Sequence, residues 1–205
     1  KLRAIKKALT EIGWEKYFLA RSKKHVLYFE GSTDLQMLLT FANKLNHKVE
    51  PLLRVANVDY TADNVPNTAL SKFTSLKGIF PELNGLALFD RIDKNIEEIK
   101  PLKIICWKRR ELENYFAQPE ILYRHAKLLG VKYPTIGSSK LVETMEQTIN
   151  DLTVPLYLKD LKNDWWHNAK LSDEWLDVIF PEFYRQIGLP QDFYKRNYYQ
   201  LIMLL

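Results

Sequence analysis

The run His25-Val26-Leu27-Tyr28-Phe29-Glu30-Gly31-Ser32-Thr33-Asp34 decides the fold of this chain. Its first five residues read as a short strand, unbroken by polar residues from Val26 to Phe29 and so buried on both faces. The strand runs straight into acid and glycine. Ser32 or Thr33 then offers a helix cap, with Gln36 three residues beyond Thr33 as in a capping box. Leu35, Leu38, Leu39, Ala42 and Leu45 come next as one apolar stripe. A buried strand, a tight turn and a helix in that order predict the first half of a βαβ unit.

Working outward, the pattern repeats. Leu52 to Val58 reads as a second strand, and Asn67 to Ile79 as a helix. Leu86-Ala87-Leu88-Phe89 is a third strand ending at Asp90. A helical piece at Lys94 to Ile99 leads to a fourth strand, Leu102 to Trp107. Pro119 opens a helix reaching about Leu129. Alternating strands and helices predict an α/β fold, a Rossmann-like parallel sheet with helices on both faces. Before this core, Leu2 to Leu19 has roughly helical apolar spacing with Gly13 as an interruption. After Gly130 the strand signal fades, and Ser139 to Leu152, Pro155 to Ala169, Ser172 to Phe180 and Tyr194 to Leu205 read as helices. The expected organisation is a helical lead-in over 1–22, a sheet domain over 23–130 and a helical appendage over 131–205.

Composition excludes several classes. With 46% hydrophobic and 27% charged residues, the chain can bury a real core. Its one cysteine, Cys106, forbids an intrachain disulfide and a cysteine-rich zinc site, which fits a reducing, cytoplasmic setting. His25, His47, His125 and His167 are scattered without zinc-ligand spacing. No apolar run approaches the roughly 20 residues that span a bilayer, so no membrane partner is expected. No Gly-rich phosphate loop occurs. The chain does not begin with Met, which reads as a fragment or a processed chain. A formal charge of +5 favours polyanions, and more so if the acids are gathered in one place.

They are gathered in the sequence. In an open parallel sheet, ligands collect at the carboxyl ends of the strands. The first strand ends at Glu30 with Asp34 one helical turn later, and the third at Asp90 with Asp93 close behind. The fourth runs through Lys108-Arg109-Arg110 into Glu111-Leu112-Glu113-Asn114. Crowded carboxylates repel one another, and a divalent cation relieves that; all-oxygen ligation suits Mg²⁺ or Mn²⁺. Lys108, Arg109 and Arg110 could hold a phosphate or pair with Glu111 and Glu113. Each feature has a plainer reading: Glu-Gly as a turn, strand-end Asp as a helix cap, Trp165-Trp166 as core rather than a base-stacking platform.

The stretch Leu27 to Asp34 resembles the first motif of TOPRIM domains, and Leu86-Ala87-Leu88-Phe89-Asp90-Arg91-Ile92-Asp93 resembles the second, normally Asp-x-Asp. Trp107 to Tyr115, Trp165-Trp166, Lys170-Leu171-Ser172-Asp173 and Lys195-Arg196-Asn197-Tyr198-Tyr199 are similar to the segments C-terminal to that core in the OLD family, whose N-terminal half is an ABC-type ATPase. The resemblance implies a metal-dependent nuclease acting on DNA in preference to RNA, linked to an ATPase domain or subunit, in a parent that forms homo-oligomers and serves antiphage defence. It implies Glu30 as general base or ligand, Asp34 and Asp90 as ligands, Glu113 and Glu111 at a second metal position, and Lys195 as a catalytic cation. The chain departs at Ile92, where the second Asp of the motif belongs; Asp93 stands one place later, and either the turn bends enough for Asp93 to serve as the metal ligand or the site keeps fewer ligands.

Overall fold

The computed structural model describes residues 6, 9, 10, 13–93 and 102–205. Most of the lead-in before Gly13 and the helical piece expected at Lys94 to Ile99 lie outside the described residues. The chain forms two compact units, residues 1–108 and 109–205.

The first unit is built on four strands: β1 (His25–Phe29), β2 (Val58–Tyr60), β3 (Asn84–Phe89) and β4 (Leu102–Cys106). All neighbours are parallel, in the order β2-β1-β3-β4. Helices α1 (Trp14–Lys23), α2 (Ser32–Lys44), α3 (Glu50–Arg54) and α4 (Pro66–Lys77) surround them. The α/β class and the parallel sheet are therefore as the sequence indicates. Register places Tyr28 beside Asp59 on one side and Ala87 on the other. That face carries a core of Ala20, Val26, Tyr28, Ala69, Phe73, Leu76, Ala87 and Phe89.

Three local expectations change. Leu52 to Val58 is not a strand. Pro51 sits in the first turn of α3, where its missing N–H costs nothing, and the strand begins only at Val58. The cap of α2 is neither Ser32 nor Thr33: the Gly31 N–H donates to Asp34 Oδ2 at 2.8 Å. The apolar stripe of α2 is also turned. Met37, Thr40 and Ala42 are buried while Leu45 is 69% exposed, because apolar residues occupy more than one face and spacing alone cannot choose among them.

Strand β2 lies at an edge of the sheet, and lysines cover it. Leu27 N–H donates to Asn57 O and Thr61 N–H to Phe29 O, so alternate residues of this segment face β1. The outward carbonyls of Val58 and Tyr60 accept bonds from the Lys16 and Lys72 ammonium groups, the second at 2.6 Å. Asp59 lies 3.7 Å from the first ammonium and 3.5 Å from the second. Charged edges of this kind discourage pairing with a foreign strand.

The second unit is helical. It contains a 3₁₀ turn at Leu112–Tyr115, α5 (Pro119–Lys132), α6 (Ser138–Leu152), the short α7 (Pro155–Lys159) and α8 (Trp165–Asn168), a π turn at Ser172–Leu176, α9 (Asp177–Gln186) and a 3₁₀ helix at Lys195–Leu204. The division falls at Lys108, not near residue 130, because α5 packs on α6 and on the C-terminal 3₁₀ helix. The helix expected over Pro155 to Ala169 is broken in two. Asp160 Oδ1 accepts the Lys162 N–H and Asn163 Oδ1 the Trp165 N–H, two turns that end one helix and open the next. The core holds Leu141, Met145, Ile149, Trp175, Phe180, Phe183, Tyr184, Tyr198 and Leu201. Trp166 is core, its indole N–H bonded to Tyr157 O, while Trp165 stacks on Tyr157 at 4.6 Å.

Candidate functional site

Strand order reverses between β1 and β3: the chain leaves β1 for β2 on one side and returns to β3 on the other. Such a reversal opens a crevice at the carboxyl ends of the two strands. Glu30 directly succeeds the last residue of β1, and Asp90 the last residue of β3. Register Tyr28↔Ala87, continued along the strands, sets Glu30 opposite Phe89 and so within one residue of Asp90. Asp34 stands in the first turn of α2, where its carboxylate holds the Gly31 N–H. Burial first, then the charges of Asp34 and Asp59, push the Tyr60 phenol up.

The shifted acid does not join this edge. Ile92 packs against the sheet core, and Asp93, with its side chain 66% exposed, pairs with Arg91 Nε at 3.0 Å. Cys106 is half-buried at the end of β4. Burial raises its thiol, an Ile92 backbone bond opposes this, and Asp90 raises it further, so it stays a neutral thiol.

The remaining candidates belong to the second unit, except Lys108, which is exposed at the end of the first. Arg109 is committed to local structure: its guanidinium donates to Asn114 O and lies 4.9 Å from the Tyr115 ring centre. The Arg110 backbone N–H donates to His167 O at 2.9 Å. Glu111 and Glu113 are both buried, at 3% and 6% exposure. Asn114 ties down the turn that carries them, accepting the Glu111 N–H at 2.8 Å and donating to Trp166 O and Ala169 O.

Glu111 is bonded to Ser172 twice, from its backbone N–H at 2.5 Å and its hydroxyl at 2.9 Å. Lys195 donates to Ser172 Oγ at 3.0 Å and to Asp173 Oδ1 at 2.6 Å, and Lys170 reaches Asp173 Oδ2 at 2.7 Å. Burial raises the Glu111 carboxyl, with Ser172, Lys195 and Lys170 opposing. For Asp173, burial is outweighed by Lys170, Lys195 and the Ser172 hydroxyl, which hold its carboxyl below the usual carboxylate range. Lys195 is pushed up: Asp173, Glu113 and Glu111 overcome its desolvation and keep the ammonium charged.

The unit thus brings Lys195 to Glu111 and Glu113, a pair that the sequence singled out apart from it. It adds Ser172, Asp173 and Lys170, which the sequence marked only as part of a segment resembling the OLD family, with no chemical role.

Glu30, Asp34 and Asp90 offer carboxylate oxygens, which suit a hard divalent cation. Among the described residues, no three His, Cys, Asp or Glu side chains converge as a metal-holding group. Magnesium does not demand three. It retains waters and is commonly held by one or two carboxylates with phosphate oxygens completing its shell.

The charge is unevenly divided. Residues 1–108 hold 18 Lys and Arg against 12 Asp and Glu, whereas 109–205 hold 12 against 13. The whole basic surplus therefore lies with the sheet unit. Among the described residues, no helix is long and apolar enough to cross a membrane. Comparison with family models, with curated proteins and with solved structures found no match.

Proposed function

We propose that this chain is a divalent-metal-dependent nuclease domain of TOPRIM type, hydrolysing nucleic-acid phosphodiesters as part of an ATPase-linked protein. The observation that carries the reading is the departure of Glu30 and Asp90 from adjacent parallel strands at the reversal of strand order. The positive surplus of the same unit supports a polyanionic substrate, since each phosphate neutralised releases counterions.

Glu30 and Asp90 are the residues that would hold Mg²⁺ or Mn²⁺, with Asp34 behind them. When bound, such an ion acidifies water and stabilises charge on the phosphoryl oxygens. Glu30 takes the proton of the attacking water, and Asp90 holds its position at the strand end. Asp34 keeps the Glu30–Gly31 turn closed through the Gly31 N–H. In the second unit, taken by itself, the Lys195 ammonium stays charged, a property suited to binding an anion.

A second reading is a degenerate domain used for docking, with no cleavage. The packing of Ile92 into the core, where TOPRIM domains carry an acid, favours it. Incubation with plasmid, linear DNA and tRNA under Mg²⁺ and Mn²⁺ separates the two. Metal-dependent, chelator-sensitive cleavage supports the nuclease and identifies DNA or RNA as its substrate. Intact substrates under both metals leave the docking reading.

A further inference from the structure

The buried carboxylate of Glu111 invites assignment as a metal ligand, yet both of its oxygens already accept hydrogen bonds. Oε1 takes the Ser172 N–H and Oε2 the Ser172 hydroxyl. The single Ser172 hydroxyl proton has two acceptors in reach, Glu111 Oε2 at 2.9 Å and Asp173 Oδ1 at 3.0 Å; turned toward Glu111, it leaves Ser172 Oγ to accept from Lys195 Nζ at 3.0 Å. The result is a directed chain, ammonium to hydroxyl to carboxylate. Each member sits on a separately anchored turn. Asn114 caps the turn of Glu111. Ser172 is wholly buried at the start of a π turn. Asn197 accepts the Tyr194 N–H at the start of the helix bearing Lys195, and buried Tyr198 bonds Asp177 at 2.5 Å one turn further on.

We propose that Glu111 and Ser172 are positioning residues for the Lys195 ammonium, and that Glu111 serves this relay instead of binding a metal. An ammonium has three donors. Ser172 and Asp173 occupy two of them, and the half-exposed position of Lys195 leaves the third toward solvent, aimed at one anionic oxygen. Lys170 holds the other oxygen of Asp173 and keeps that carboxylate from swinging across the third donor. The anion is a nucleic-acid phosphate only on the nuclease reading; the relay itself stands on these bonds alone.

The test needs no substrate. NMR of the ¹⁵N-labelled protein reads proton exchange at the Lys195 ammonium, with Lys195→Arg assigning the signal. Ser172→Ala should speed exchange roughly tenfold, the equivalent of one charge-assisted hydrogen bond, and Ser172→Thr should restore it. Glu111→Gln should also speed exchange while leaving Mn²⁺ affinity unchanged. A melting curve accompanies each variant, and Ser172→Ala alone decides the relay if Glu111→Gln does not fold. Unchanged exchange in Ser172→Ala overturns the relay. A loss of Mn²⁺ affinity of about tenfold or more in folded Glu111→Gln makes Glu111 a ligand and overturns its assignment. Because neither readout is cleavage, a protein with an intact relay and no nuclease activity would contradict only the proposed function.

Discussion

Asp93 turns outward to Arg91, 3.0 Å away, while its neighbour Ile92 turns inward onto the sheet core. Successive side chains on an extended backbone point to opposite sides, so the acid and the apolar residue cannot exchange roles without a twist of the chain. Ile92→Asp would bury an unpaired carboxylate and should cost roughly 2–4 kcal/mol, seen as a lower melting temperature. Asp93→Asn neutralises an exposed acid paired with Arg91 and should change stability by less than about 1 kcal/mol, with no effect on Mn²⁺ affinity. A stable Ile92→Asp variant with stronger Mn²⁺ binding would show that the backbone there can rearrange into a ligand position.

His125 sits against the rings of Phe193 and Phe180, with centroids at 4.3 Å and 5.4 Å, and its enclosed Nε2 finds no hydrogen-bond partner among the described residues. Burial pushes its pKa down to about 4 despite the opposing charge of Asp192. An unfolded chain takes up this proton as the pH falls through about 6.5, while the folded chain resists until about 4. The contribution to stability is therefore complete above 6.5, declines between 6.5 and 4, and amounts to at most about 3 kcal/mol. His125→Leu should flatten the pH dependence of stability in that window. Parallel curves for both proteins would contradict the account.

Gly130 of α5 lies close against Ser138 at the start of α6. A Cβ there would lie 2.2 Å from Ser138 Oγ and 2.5 Å from Ser138 Cα, so backbone as well as side chain would have to move. At Gly85 on β3 the obstruction is the Phe73 ring and Leu102 Cδ1, at 2.5 Å and 2.6 Å. Gly130→Ala and Gly85→Ala should each destabilise by roughly 1–3 kcal/mol, with chemical denaturation as the measure. Gly130→Ala should be worse, because Ser138 Cα cannot rotate away as a side chain can.

The sheet was legible because buried parallel strands write themselves as uninterrupted apolar runs, and three of the four lie where the residues indicate. Strand β2 was not. Val58, Asp59 and Tyr60 make a three-residue edge strand with a charge in its middle, and the apolar residues just before it are the helix α3 that Pro51 opens. Asp59 is tolerated there because Lys16 and Lys72 come to it from α1 and α4, a tertiary arrangement that no local pattern contains. The acidic strand ends were legible for the same reason as the strands. The setting of Glu111 was not, since Ser172 lies 61 residues away and only folding brings its hydroxyl to that carboxylate.

Glu30 and Asp90 are proposed to make a metal-dependent hydrolytic site together. The most direct test measures cleavage and Mn²⁺ binding side by side in Glu30→Gln and Asp90→Asn. The account predicts loss of cleavage by roughly 10²-fold or more in both, of the order expected when a general base or ligand is removed. Mn²⁺ binding should weaken, while melting temperatures are unchanged or raised because like charges at the sheet edge are relieved. Cleavage and Mn²⁺ binding both persisting at wild-type levels in the two variants would contradict it.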